Sequence, residues 1–214
     1  MIKSRAALIG LTICTALMCA GMSFSYLTTP AQNQRLTHES GDNFRGISWN
    51  PRDSAAPLPP LSSPRIVVKK GERKLFLYSG EKLIRTYHVG LGLSPIGDKV
   101  REGDRRTPEG DFYIFTKNDK SAFYLSLGIS YPNAAHAERG LRDGLITKGQ
   151  YDTILQALGD HKAPPQDTRL GGDIYIHGNG ASRDWTWGCV ALEDQDIREL
   201  FGAVSVGTPV TIKP

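Results

Sequence analysis

The sequence predicts a mainly β fold, a sandwich or barrel-like core with one or two helices packed on it. Three observations carry that prediction. Short runs rich in β-branched and aromatic residues recur from residue 65 onward, divided by turn-forming Gly, Pro and Ser. Helical spacing of apolar residues is confined to two late windows. The residues before 65 hold no sustained apolar periodicity.

The elements follow in chain order. "RIVVKK", "KLFLYSG" and "KLIRTYHVGLG" read as strands joined by the hairpin-like turns "KGER" and "SGEK". The charged, Gly-rich tract "REGDRR" reads as a solvated loop. "TPEG" then places Pro108 and Gly110 for a tight turn. "DFYIFTK" and "AFYLSLGISYP" are further strands. "GQYDTILQALGD" sets Tyr151, Ile154, Leu155 and Leu158 on one helical face and stops at Gly159. "DIYIHG" is a strand, "DQDIRELFGAV" repeats the helical spacing with Ile197, Leu200, Phe201 and Val204, and "TPVTIKP" closes the domain. Asp194 and Asp196 fall in the first turn of that last helix, where acids complement its dipole. Residues 65–214 suffice for one buried core.

The N-terminal part has a different character. Lys3 and Arg5 precede an uncharged apolar run from Ala6, and Ser23 and Ser25 suit a cleavage site. Residues 1–25 therefore read as an export signal or as an uncleaved anchor touching the membrane; the run is near the length a spanning helix needs. Residues 26–64 read as a polar, Pro-rich linker. The alternative is an arm on the domain, anchored by Phe44, Ile47 and Trp49.

Charge argues against one class of partner. Lys and Arg number 26 against 22 Asp and Glu; Lys3 and Arg5 are the signal's only charges, so a processed chain carries 24 against 22. With no basic stripe carrying interleaved aromatics, nucleic acid is not an expected partner. Of the three cysteines, Cys14 and Cys19 lie in the export segment, which leaves Cys189 alone in the compact part. No CxxC and no His/Cys cluster at ligand spacing is present, so no metal site is expected.

The informative tract is "GGDIYIHGNGASRDWTWGCVAL". Alternation turns Ile174 and Ile176 one way and Tyr175 and His177 the other. Cys189 follows Gly188, which leaves the thiol uncovered and lets the Gly188 and Cys189 N–H groups converge on an oxyanion. An imidazole able to take the thiol proton would make Cys189 a nucleophile. The plainer reading is a core cysteine and a backbone-bonded histidine. From the residues alone, both stand.

The pattern H-G-N-G followed by T-W-G-C-V-A-L-E-D-Q-D resembles the signature of the L,D-transpeptidase catalytic domain, also called the YkuD domain. "HVGLG", "GDRRTPEGDFYI", "YLSLGISYPN" and "LGGDIYIHG" are similar to that family too. The resemblance implies a mainly β fold, an envelope location, no cofactor or metal, and cysteine-based acyl transfer on peptidoglycan stem peptides. It places Cys189 as nucleophile, His177 as base, and Gly178 as the residue whose carbonyl orients that histidine. Gly188 matches the glycine beside the nucleophile, and Thr186 stands where Ser or Thr is usual. Two departures concern the pocket: Trp187 replaces a second histidine, and Ala191 replaces an arginine. They leave the acyl acceptor open. An amine would give cross-linking or attachment of a protein to the wall. Water would give a hydrolase that cuts stem-peptide or wall-linked lipoprotein bonds. A non-catalytic wall-binding module is the alternative of another class. Trp187, Asn179 and Arg183 are candidate substrate contacts; Arg183 reads first as a solvated loop cation and second as a partner for a stem carboxylate. His136 is expected in a loop without ligand partners.

Overall fold

The computed structural model describes residues 57–214. The expected export segment 1–25 and linker residues 26–56 lie outside the described residues. Of the linker's remainder, Leu58 and Leu61 pack on the core rather than extend into solvent.

Eleven elements follow in order: β1 (Pro64–Lys69), β2 (Lys74–Ser79), β3 (Lys82–His88), β4 (Gly110–Ser121), β5 (Tyr124–Ile129), α1 (Ala134–Arg142), α2 (Lys148–Gly159), β6 (Tyr175–His177), β7 (Val190–Ala191), α3 (Asp194–Ala203) and β8 (Pro209–Lys213). The strands form one sheet in the order β3-β2-β1-β8-β4-β5-β6-β7. β8 inserts between the two halves of the chain, parallel to β1 and antiparallel to β4. β6 runs antiparallel to β5 and parallel to β7. Just beyond β3, Gly90 exchanges hydrogen bonds of 3.0 and 2.8 Å with Ala191 of β7. That bridge ties the two edges together, so the sheet is curled and barrel-like, as expected.

Alternation supplies the core. Ile66, Val68, Leu75, Leu77, Ile114 and Ile212 face one apolar interior, and α3 covers it with Ile197 and Leu200. Trp187 and Ile96 are exposed large apolar side chains outside that pattern.

Helix α1 is a departure from expectation. Its buried face is His136, Ala137 and Gly140, so no apolar stripe announces it. Asn133 caps it by accepting a hydrogen bond from the His136 N–H. Gly140 sits against Leu170: a Cβ there would lie 2.7 Å from Leu170 Cδ2, so the leucine would have to shift. A small second core of Ala137, Ile146, Ile154 and Leu170 joins α1 to α2.

The charged tract before β4 also differs from a solvated loop. Lys99 is buried and donates to Asp104 at 2.9 Å, and the Asp104 carboxylate also accepts the N–H groups of Val100, Arg101 and Arg106. Buried Lys70 reaches Glu109 at 2.7 Å and two loop carbonyls. His136, expected in a loop, lies in α1 and bonds Asp98 at 3.0 Å, and Arg139 bonds the same carboxylate at 2.9 Å. Burial raises the Asp98 carboxyl, but donation from His136, the Glu109 N–H and Arg139 outweighs it and holds the group at about 2. These paired charges and backbone hydrogen bonds tie the loop to the domain. It delivers Thr107 to the tract that carries Cys189.

Candidate active site

β6 is short but decisive. Ile174 and Ile176 enter the core, while Tyr175 and His177 face a cavity of about 330 Å³. Phe123, Ser126, Asp173 and Cys189 line the same cavity. The structure thus brings His177 and Cys189, twelve residues apart in sequence, to one wall.

The histidine is held from several sides. Its Nδ1 lies 2.7 Å from the Gly178 carbonyl oxygen. A carbonyl only accepts, so Nδ1 carries the proton and, in the neutral ring, Nε2 keeps its lone pair. Phe123 stacks on the ring at 4.7 Å between centroids, and Trp185 meets it edge-on at 5.5 Å. Burial lowers the His177 pKa below its ordinary value of 6.5, although the Gly178 carbonyl works the other way. Gly178 itself is fixed by its N–H, which is shared between the Phe123 and Leu125 carbonyls.

Cys189 is unpaired and partly buried. Its thiol donates to the Asp173 carbonyl and accepts from the Tyr175 N–H, each at 3.4 Å. Burial pushes the thiol up to about 11, and the Tyr175 N–H is the main opposing influence. Near neutral pH the resting pair is therefore a protonated thiol and a neutral imidazole. Of the two activation modes open to a Cys/His pair, these directions fit proton removal by the base, not a preformed thiolate–imidazolium pair.

The turn before Cys189 is built by two threonines. The Thr186 hydroxyl donates to the Cys189 carbonyl at 2.9 Å and accepts from the Gly188 N–H at 3.2 Å. Thr107 of "TPEG" donates to the same carbonyl at 3.3 Å. The Gly188 N–H, expected at an oxyanion site, is thus engaged by Thr186. The Cys189 N–H donates to no acceptor among the described residues and stays available. Gly188 has φ +132, and a Cβ would sit 2.8 Å from the Arg106 carbonyl oxygen. Gly188→Ala is therefore expected to cost about 2 kcal/mol or more through strain and clash. Thermal melts would register this as a fall of several degrees; an unchanged melting temperature would contradict the geometry.

The remaining expected contacts lie apart. Asn179 and Arg183 line a neighbouring hollow with Ser182 and Trp185. Trp187 is 65% exposed, stands under the Arg105 guanidinium at 5.0 Å, and is not among the cavity's lining residues. Asp194 accepts the Asn179 N–H at 2.8 Å and Glu193 the Ala181 N–H at 2.8 Å, so the start of α3 pins the loop after His177. Sequence reasoning missed Phe123 and Ser126. Phe123 precedes the family-like stretch "YLSLGISYPN" and Ser126 lies inside it without being singled out; the β5–β6 register brings Ser126 to the site, and the turn before β5 brings Phe123.

Known proteins resemble this chain over its compact part. Residues 63–212 match the family model described as the L,D-transpeptidase catalytic domain. A protein of Escherichia coli K12 named putative L,D-transpeptidase YafK is 30% identical over 155 residues, covering 67% of this chain and 50% of that protein. Probable L,D-transpeptidase YcfS of the same organism is 27% identical over 160 residues, covering 72% and 45%. The chain spans about half the length of the curated relatives it matches. The helical cell shape determining protein Pgp2 of Campylobacter jejuni superposes with a TM-score of 0.46 at 20% identity, covering 74% of this chain and 51% of that one. A match that begins just before β1 and runs into β8 takes in the whole curled sheet, and the chain belongs to the L,D-transpeptidase catalytic-domain family.

Proposed function

We propose that this chain performs cysteine-dependent acyl transfer on peptidoglycan stem peptides, as an exported enzyme of the cell envelope. The observation that carries the reading is the shared cavity of Cys189 and His177, with His177 Nδ1 anchored on Gly178 so that Nε2 is the basic nitrogen. Family membership supplies the substrate class.

In the mechanism, His177 Nε2 takes the thiol proton as Cys189 Sγ attacks the carbonyl of the third stem residue. The Cys189 N–H holds the developing oxyanion. The leaving D-alanine amine departs with the proton from His177. An acceptor then attacks the thioester, gives its proton to His177, and releases Sγ. An amine acceptor cross-links stems or attaches a wall-linked lipoprotein; water cuts such links. Residues 1–25 direct the chain across the membrane. Asn179 and Arg183 in the adjoining hollow contact the substrate beyond the reacting bond.

The test is mass spectrometry of the full chain incubated with disaccharide-tetrapeptide. A dimer lighter than two monomers by one D-alanine establishes transpeptidation. Loss of D-alanine without a dimer makes the enzyme a hydrolase. No product, with wild type equal to Cys189→Ala, rejects the stem-peptide reading and leaves another substrate or a wall-binding role.

A further inference from the structure

Buried hydroxyl groups in this domain have partners, with one exception. Thr107 and Thr186 serve the Cys189 turn, Ser130 accepts the Tyr113 N–H, and Thr168 and Thr208 accept nearby backbone N–H groups. Ser126 is 4% exposed and has no intramolecular side-chain partner among the described residues. A buried hydroxyl left unsatisfied costs about 1–3 kcal/mol. Its oxygen is nevertheless not sealed in the core, since Ser126 lines the Cys189/His177 cavity.

The strand register places it. Ser126 of β5 lies opposite His177 of β6. The Gly178 N–H donates to the Leu125 carbonyl at 3.2 Å, which makes 126 and 177 a non-hydrogen-bonded pair. Such pairs have their Cα atoms about 4.5 Å apart and side chains on one face. In the sheet, β6 lies between β5 and β7. His177 is therefore flanked by Ser126 on the β5 side and by the Cys189 segment on the β7 side.

We propose that Ser126 binds the acyl acceptor beside His177 during thioester resolution. This rests on the acyl-transfer reading above. An amine or a water each presents at least two hydrogens. His177 Nε2 takes one as a proton, and the Ser126 Oγ lone pair accepts a hydrogen bond from another. That two-point hold aims the acceptor's lone pair at the thioester carbon. The new C–N or C–O bond forms, the C–S bond breaks, and the proton on His177 returns to the Cys189 thiolate. Acylation needs no such contact, because the thiol is already on the chain.

The experiment uses p-nitrophenyl acetate, which acylates an active thiol whatever its natural donor. Full-length wild type, Ser126→Ala and Ser126→Thr are acetylated, and loss of the adduct is followed by intact-protein mass spectrometry, with and without glycinamide. The expected result is that Ser126→Ala slows resolution about tenfold more than acetylation, to water and to amine alike. Ser126→Thr, which keeps the hydroxyl, restores most of the rate. Equal effects on both steps, no effect, or a Thr variant as slow as Ala would overturn the proposal. A wild-type chain that forms no acetyl-Cys189 would sink it together with the acyl-transfer reading. A Ser126-dependent acetyl turnover beside inert tetrapeptide would leave Ser126 in place and reject only the stem-peptide substrate.

Discussion

Cys189→Ser is expected to fold as the parent does and to lose turnover by about 10⁴-fold or more. The two hydrogen bonds at the sulfur are long, 3.4 Å each, so they hold little of the fold. A serine hydroxyl in that place can make similar contacts. The chemistry is less forgiving. The base beside it is a buried, neutral imidazole whose affinity for a proton is already lowered. A thiol raised to about 11 is within reach of such a base during attack. An alcohol is several units weaker as an acid and does not give up its proton to it. Product formation by mass spectrometry and a thermal melt on the same sample check both halves. Retention of more than about one per cent of wild-type turnover would remove Cys189 from the nucleophile's role.

Much of this arrangement was legible in the residues because alternation and turn chemistry are local. "DIYIHG" separates its core side from its cavity side by period two alone, and Ile174, Ile176, Tyr175 and His177 fall accordingly. The spacing of Ile197 and Leu200 likewise finds α3. Helix α1 stayed hidden because it packs through His136, Ala137 and Gly140, residues that carry no apolar periodicity. The "REGDRR" tract misled for a related reason. Arg101, Glu102 and Arg105 are indeed exposed, but Asp104 turns inward to a buried lysine. Charge composition does not reveal which carboxylate has a partner 5 residues away. Long-range register hid the rest. Ser126 lies 51 residues before His177, and nothing in "YLSLGI" marks it as different from any strand serine. The commitment of the Gly188 N–H to Thr186 was equally invisible, since a threonine two residues before a glycine has many possible partners.

His177→Ala is expected to slow Cys189 acylation by about 10²–10⁴-fold at pH 7, and the size of the loss is expected to depend on pH. In the wild type, Nε2 acts only while the ring is neutral. Burial lowers the ring's pKa, so the rate climbs with pH through a value below 6.5 and is level across the neutral range. The variant has no such base and must wait for the thiol to ionise by itself. Its rate should rise about tenfold per pH unit toward the thiol's own value near 11, with no inflection below 6.5. The deficit therefore shrinks steadily as the medium becomes alkaline. The same lowered pKa has a stability consequence. Below 6.5 the unfolded chain protonates this histidine while the folded chain resists, so folding weakens as pH falls toward the folded value. The alanine variant should lack that share of acid sensitivity. Acylation profiles with p-nitrophenyl acetate from pH 5 to 10, joined to melts over the same range, test both. An inflection below 6.5 that survives in His177→Ala would assign the base to another group, and a deficit constant with pH would mean that His177 shapes the cavity without taking the proton.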